Sequence, residues 1–457
     1  MVYNFAIFVV VSYIFMLKFE FSDRFFLFSY FIFIMLLGSL LLSLPISWNS
    51  EEKLDYIDVL FTSVSAVSIT GLVTVKMENF STFGFIVIML LIQFGGLGFI
   101  TIATFYLLIP KRKLNLTDAR IIKQYSLSNI EYNPIKILKS ILFITFLIEL
   151  IGLVLILLCF KLRGVRISLL EALFTTISAF CNAGFSMHSE SIYAWRDVPE
   201  AIVVVAILIV CGGLGFMVYR DVTNTIKYRK KLSLHAKIVF LLSFFLIVFG
   251  AVVFFFSEIH KLEEGYSLGA LILNSIFYSI STRTAGFSYF ENSFITSKTQ
   301  MLSLPFMFIG GAPGSTAGGI KITTFFLIVL AVVKSQNGQN GDGYIIGSYK
   351  VSVDSIRFAL LFFVRAIFIL CFAFFVLLAT EGGGKCRVIG LGYEIFSAFG
   401  TVGLSVGITQ DLSFLGKVII IFTMFAGRIG LFSMAIFGSR RSRFEEFTRP
   451  RQDILVG

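Results

Sequence analysis

The sequence predicts an all-α polytopic membrane protein. Four pseudo-repeats, each a helix, a re-entrant pore helix with its loop, and a second helix, surround one central pore. Three observations carry this prediction. Of the 457 residues 57% are hydrophobic and 14% charged, with mean hydropathy +0.90, a balance no soluble domain of this length shows. Four short polar stretches, residues 65–71, 178–184, 281–286 and 397–403, interrupt the apolar sequence and end in Gly71, Gly184, Gly286 and Gly403. Non-helical backbone at membrane depth is tolerated only where it is buried or lines water, so four interruptions share that cost by facing one axis. Glycine at each turn admits positive φ and lets carbonyl oxygens aim inward in place of a cation's hydration shell, which points to ion passage. The third observation is the fourfold recurrence of long span, half-length segment, glycine stretch and second span.

In chain order, residues 1–25 hold an apolar run, 5–19, with no basic residue before Lys18 and no small-residue cleavage site. It reads as an interfacial helix or a short span, not as a signal peptide. Repeat 1 covers 26–110, repeat 2 137–220, repeat 3 238–333 and repeat 4 355–439, separated by loops at 111–136, 221–237 and 334–354 and followed by a tail at 440–457. First spans lie near 26–47, 137–160, 238–257 and 358–380; second spans lie near 82–109, 199–219, 300–333 and 413–438. The segments near 56–69, 170–182, 268–284 and 391–401 are too short to cross a hydrocarbon core of ~30 Å as helices, so they are re-entrant.

Each second span carries a further glycine mark: Gly95-Gly96-Leu97-Gly98, Gly212-Gly213-Leu214-Gly215, Gly310-Gly311 and Gly427. Aligned as Gly71 to Gly95, Gly184 to Gly212, Gly286 to Gly310 and Gly403 to Ala426, the spacings are 24, 28, 24 and 23 residues. The first two marks read as small-residue helix packing. Residues 310–321 hold five glycines and Pro313, which no regular helix accommodates throughout. Hydroxyls of Ser315 and Thr316 can satisfy the freed backbone, leaving either a structural kink or a movable loop across the pore.

Charge orients the bundle. Lys111, Arg112, Lys113, Arg120, Lys123 and Lys136, then Arg220, Lys227, Arg229, Lys230 and Lys231, mark cytoplasmic loops, and Arg440, Arg441, Arg443, Arg449 and Arg451 put the C-terminus on the same side. The glycine stretches then open outward, where 51–58 and 258–263 are acidic. The net charge of +11 is scattered between spans, so it speaks of topology and lipid headgroups, and no nucleic acid is expected as partner. The five cysteines are unevenly spaced in apolar runs and read as packing residues. Three histidines, His188, His235 and His260, with no metal-spaced cluster or nucleophile motif, argue against an enzyme.

Thr401-Val402-Gly403-Leu404-Ser405 looks like a potassium-channel filter with its tyrosine and last glycine replaced. With the fourfold cycle, the run from Gly310 to Thr323 and the Gly427-Arg428-Ile429-Gly430 segment, the chain resembles the Trk/Ktr/HKT superfamily of potassium transporters over about residues 26–438. Within it the resemblance is to the bacterial Ktr-type membrane (ion-translocating) subunit. That resemblance implies a selectivity filter at Ile69, Thr70, Gly71, Asn182, Ala183, Gly184, Thr284, Ala285, Gly286, Thr401, Val402 and Gly403, holding a potassium ion at its four glycines. It also implies an intramembrane gate of Gly310, Gly311, Gly314, Ser315, Thr316, Gly318, Gly319 and Lys321, with Arg428 facing the cavity below. Arg428 needs water or an acceptor in any case, because an unpaired cation in a span is costly. The resemblance further implies a homodimer in the inner (cytoplasmic) membrane, a cytoplasmic ring of nucleotide-binding regulatory subunits, and no organic cofactor in this chain. An alternating-access symporter is the competing architecture; it would more often show inverted halves with broken helices at one site.

Overall fold

The computed structural model describes residues 23–49, 55–106, 134–229, 231–290, 295–334, 344–346, 349–382 and 388–430. The run 5–19, most of the loop 111–136, the tail 440–457 and Cys386 lie outside them.

The expected all-α polytopic fold is the one observed. The chain runs through α1 (Asp23–Leu42), α2 (Tyr56–Ser68), α3 (Thr82–Tyr106), α4 (Pro134–Arg163), α5 (Leu169–Phe180), α6 (Pro199–Leu214), α7 (Phe216–Tyr228), α8 (Leu234–Ser257), α9 (Leu268–Ser281), α10 (Ser297–Phe308) and α11 (Ile322–Lys334). A small hairpin pairs β1 (Tyr344–Ile346) with β2 (Tyr349–Val351), and α12 (Val353–Glu381), α13 (Val388–Gly400) and α14 (Phe414–Phe425) follow, the last passing into a π turn at Ala426–Gly430. Helix starts follow the local chemistry: Ser168, Ser233, Ser267, Thr296, Ser352 and Ser413 each accept an amide hydrogen from the first turn they cap.

Among the described residues, Lys139–Arg163 of α4, all of α8 and all of α12 are each long and apolar enough to cross a bilayer, with mean hydropathies of 3.0, 3.0 and 2.8. Their outer faces expose Phe143, Leu150, Phe244, Phe245, Phe368 and Phe375, as lipid-facing helices require. The short helices α2, α5, α9 and α13 are buried instead, and each packs against the second long element of the preceding repeat: α5 on α3, α9 on α6, α13 on α10, and α2 on α14. The last of these contacts closes the circle between the two ends of the chain.

Three expectations are corrected. The span read at 199–219 breaks at Gly215 (φ 83°, ψ 147°), where α7 leaves α6 at 92°. Residues 221–237, read as a loop, therefore carry most of α7 and the start of α8. The register of the second glycine mark also shifts. A methyl on Gly95, Gly212 or Gly427 would collide with the carbonyl oxygen of Val67, Phe180 or Phe399, each at the C-terminal end of its repeat's short helix. Gly427, not Ala426, is thus the equivalent position, and the fourth spacing becomes 24 residues (403 to 427). These glycines serve close backbone approach; Gly215 does not pack a helix but ends one.

Candidate functional site

Each short helix leads into a left-handed residue: Ile69 (φ 58°) and Thr401 (48°) directly, Asn182 (57°) after Cys181, and Thr284 (68°) after Thr282 and Arg283. Two positions later stand Gly71 (93°), Gly184 (72°), Gly286 (73°) and Gly403 (92°). Three of the non-glycine residues are β-branched, for which this region is a true outlier costing about 1–3 kcal/mol each. Such strain persists only where the surroundings over-determine it. Here the residue before each glycine is pinned by its amide: Thr70, Ala183 and Val402 donate to the carbonyls of Ser65, Ser178 and Ser397 at 2.8, 2.8 and 2.7 Å, and Ala285 to Ser281 at 3.0 Å. The Ser65 and Ser397 hydroxyls also accept the amides of Gly71 (3.1 Å) and Gly403 (3.0 Å). The sequence marked these serines as the starts of the polar stretches; their anchoring role becomes visible only in three dimensions.

The glycines form a closed ring. A methyl added to Gly71 would lie 2.5 Å from the Ala183 carbonyl oxygen, and one on Gly184 would lie 2.8 Å from that of Ala285. Methyls on Gly286 and Gly403 would overlap the carbonyl oxygens of Val402 and Thr70, returning to the first repeat. The side chains of Thr70, Ala183, Ala285 and Val402 are fully buried, and among the described residues no hydrogen bond ends on their four carbonyl oxygens. Four converging backbone acceptors without a protein donor among the described residues form an arrangement able to coordinate a cation or water. The C-terminal ends of four helix dipoles converge on the same ring and favour a cation there.

On one side the ring floors a cavity of ≈150 Å³ that Ser186, Ser288, Ser405 and His188 also line. Its rim is knitted across repeats. Glu78 accepts from the Ser189 amide (2.6 Å) and hydroxyl, and His188 Nε2 lies 2.9 Å from Glu171, which also accepts from Trp195 Nε1 at 2.8 Å. Burial pushes the Glu78 carboxyl up, but the Ser189 donors outweigh it and hold it below the ordinary carboxylate value. The bond to Glu171 raises His188 above its ordinary value, against the opposing effect of burial. Glu394 of α13, wholly buried, accepts from Ser405 Oγ, Thr409 Oγ1 (2.9 Å) and Val406 N (3.3 Å), clamping the chain beyond Gly403; sequence reading missed it, although a carboxylate in a half-length apolar helix was its signal.

On the opposite side of the ring lies the glycine-rich break. Residues Gly310, Gly311, Gly314, Ser315, Thr316, Gly318 and Gly319 form a folded loop, not a fraying one. Ile309 and Ile320 bridge in parallel, Gly310 N donates to Ile320 O at 2.8 Å, and Ile322 N to Gly311 O at 3.0 Å. Ser315 Oγ donates to Ala312 O at 2.6 Å, and Thr316 Oγ1 to Phe180 O (3.2 Å) and Gly212 O (3.1 Å), as the hydroxyls' expected role required. Gly318 packs on the Thr401 side chain, directly under the ring. Lys321 Nζ donates to Ala317 O at 2.6 Å. Arg428 donates from Nη1 to Thr316 O and from Nη2 to Gly95 O at 3.0 Å, so its acceptors are carbonyls of the loop and of α3. Glu149 of α4 accepts from the Gln93 side-chain amide of α3 at 3.0 Å. The structure thus brings eight of the twelve filter candidates, the four glycines and the residues before them, into one ring, sets the other four in the turns leading into it, and gathers the gate candidates into one assembly beneath it.

This geometry can be set beside known proteins. The sequence profile of the TrkH family, described as a cation transport protein, matches residues 15–445. The chain belongs to the TrkH family. It is 34% identical over 443 residues to the potassium/sodium uptake protein NtpJ of Enterococcus hirae, covering 93% of this chain and 95% of that one. It is also 34% identical over 429 residues to the Ktr system potassium uptake protein B of Bacillus subtilis, covering 92% and 94%. The crystal structure of the potassium transporter TrkH from Vibrio parahaemolyticus superposes with a TM-score of 0.73 at 19% identity, over 92% of this chain and 86% of that one, a likeness of fold. As a TrkH-family chain, the protein is a multi-pass membrane transporter.

Proposed function

We propose that this TrkH-family chain carries potassium inward across the cytoplasmic membrane, down its electrochemical gradient, through the glycine ring acting as a selectivity filter. The observation that supports it most is the closed circuit of Gly71, Gly184, Gly286 and Gly403 against the unbonded carbonyls of Ala183, Ala285, Val402 and Thr70. Carbonyl oxygens replace the hydration shell of a monovalent cation, and a negative-inside potential suffices to drive uptake. In this reading residues 310–321 and Arg428 close the path beneath the ring, and the cavity beyond Gly71 is the outer mouth. The uptake function named for the Enterococcus and Bacillus relatives supports potassium, with sodium in the former's name the second cation to test.

The Ktr-system names of two relatives support the further proposal that this chain works with a second subunit. From the family resemblance we take that subunit to be cytoplasmic and nucleotide-binding, the chain to be a homodimer, and its C-terminus to lie on the cytoplasmic side. No organic cofactor is proposed for the chain itself, and its activity is transport, not catalysis. The test is growth of a potassium-uptake-deficient bacterium on low potassium when the chain is expressed with such a subunit. Rescue is expected; correct insertion without rescue removes the potassium reading.

A further inference from the structure

The elbow between α6 and α7 is bonded to the glycine-rich loop along its length. Ala312 N donates to Gly213 O at 2.9 Å, Thr316 N to Gly212 O at 3.3 Å, and Phe216 N, the first amide of α7, to Gly314 O at 3.0 Å. Gly215 faces Pro313 so closely that a methyl would lie 2.6 Å from its carbonyl oxygen. The inner face of α7 continues this contact, because Val218 packs in one cluster with Ile309, Ala312 and Ile322, which flank or form the loop, and with Ala236 and Val239 of α8. The start of α7 and the loop therefore form one packed, hydrogen-bonded unit.

The far end of α7 is built differently. Since α6 packs along the membrane-crossing α4, a 92° bend lays α7 across the edge of the bundle, where Ile226 is 76% and Tyr228 57% exposed. Around them stand Arg220, Lys227, Arg229 and Lys231, against one acid, Asp221, whose carboxylate is engaged by the Ser233 amide at 2.7 Å. A short helix with an exposed apolar residue among cations, lying at right angles to the spans, matches a headgroup layer that is anionic above and apolar beneath.

We infer that α7 docks on anionic phospholipid headgroups of the leaflet on the loop side and, through the elbow, sets the position of residues 310–321. The transport consequence rests on the potassium reading above; the docking does not. Two measurements separate them. Native mass spectrometry of protein released from mixed phosphatidylglycerol and phosphatidylcholine should show preferential retention of phosphatidylglycerol, falling roughly fivefold for each charge removed in Lys227→Gln, Arg229→Gln and Lys231→Gln combined. Equal retention by parent and triple variant overturns the docking. Rubidium flux without any partner protein should differ between phosphatidylcholine vesicles and vesicles containing phosphatidylglycerol, and the triple variant should lose that difference. Gly215→Ala, strained at φ 83° and driven against Pro313, should retain lipid normally yet lose the flux response. Lipid retention that changes with no change in flux overturns the lever. A triple variant altered only in its response to a soluble subunit, in neutral vesicles, makes α7 a protein-docking face and overturns the lipid assignment. A parent that carries no cation in either vesicle refutes the potassium reading, while retention still decides the docking.

Discussion

The Lys417 ammonium on α14 lies 2.6 Å from the Asp58 carboxylate on α2, 359 residues earlier in the chain. Both side chains are almost wholly shielded, and the pair ties the last repeat to the first at the contact that closes the circle of short helices. Removing one partner leaves the other charge shielded and unpaired. Asp58→Asn or Lys417→Met should therefore destabilise the protein by roughly 2–4 kcal/mol. Thermal unfolding in detergent checks this, and a double variant that recovers part of the loss shows that the pair itself is responsible.

Serine at Gly71, Gly184, Gly286 or Gly403 must adopt positive φ and push on a neighbouring repeat's carbonyl. That strain, of order 1–3 kcal/mol, should lower the preference for potassium over sodium by roughly tenfold or more. Gly286 and Gly403, whose added methyls overlap carbonyl oxygens outright, should be hit hardest. Rubidium uptake with sodium as competitor measures it; unchanged preference in all four variants would take these glycines out of the filter.

Arg428→Ala leaves Thr316 O and Gly95 O without their charged donor. A hydrogen bond to a charged group contributes about 1.5–3 kcal/mol, so the loop's equilibrium should shift roughly 10- to 100-fold toward release, raising flux measured without a partner subunit. Deleting several residues within 310–319 should act in the same direction. If variants that insert normally conduct no faster than the parent, the loop is a structural kink.

The raised titration of His188 gives a pH dependence with a definite sign. The contribution of its bond to Glu171 is complete below the ordinary histidine value of 6.5 and is lost as pH rises through the higher folded-state value. Glu78 and Glu190, the other carboxylates acting on His188, favour the same direction. Melting temperature should fall on the alkaline side of 6.5, and His188→Gln should flatten that slope. A parent and variant with parallel profiles would assign the pH dependence elsewhere.

Much of the ring was legible in the sequence. Gly71, Gly184, Gly286 and Gly403 stand out because a polar, glycine-ended break in apolar sequence is costly in a membrane and recurs only for a reason. The register of the second glycine mark was less legible: Ala426 and Gly427 are both small, and only the Phe399 carbonyl lying against Gly427 separates them. Gly215 was read as helix packing because a glycine near Gly212 and Gly213 looks the same in sequence whether it packs a helix or ends one. Arg428 announced its need for an acceptor but not which one.

The sequence by itself determined the membrane class, the places where helix cannot continue and the residues able to take positive φ, because these depend on local composition and on each residue's own backbone limits. The tertiary structure alone decided that α2 meets α14, that each glycine faces the carbonyl of the next repeat, and that the elbow at Gly215 holds the loop. Those contacts join groups separated by tens to hundreds of residues. Their energy lies in complementary packing and in backbone hydrogen bonds that every residue type except proline can donate, and such bonds leave little mark in the order of side chains.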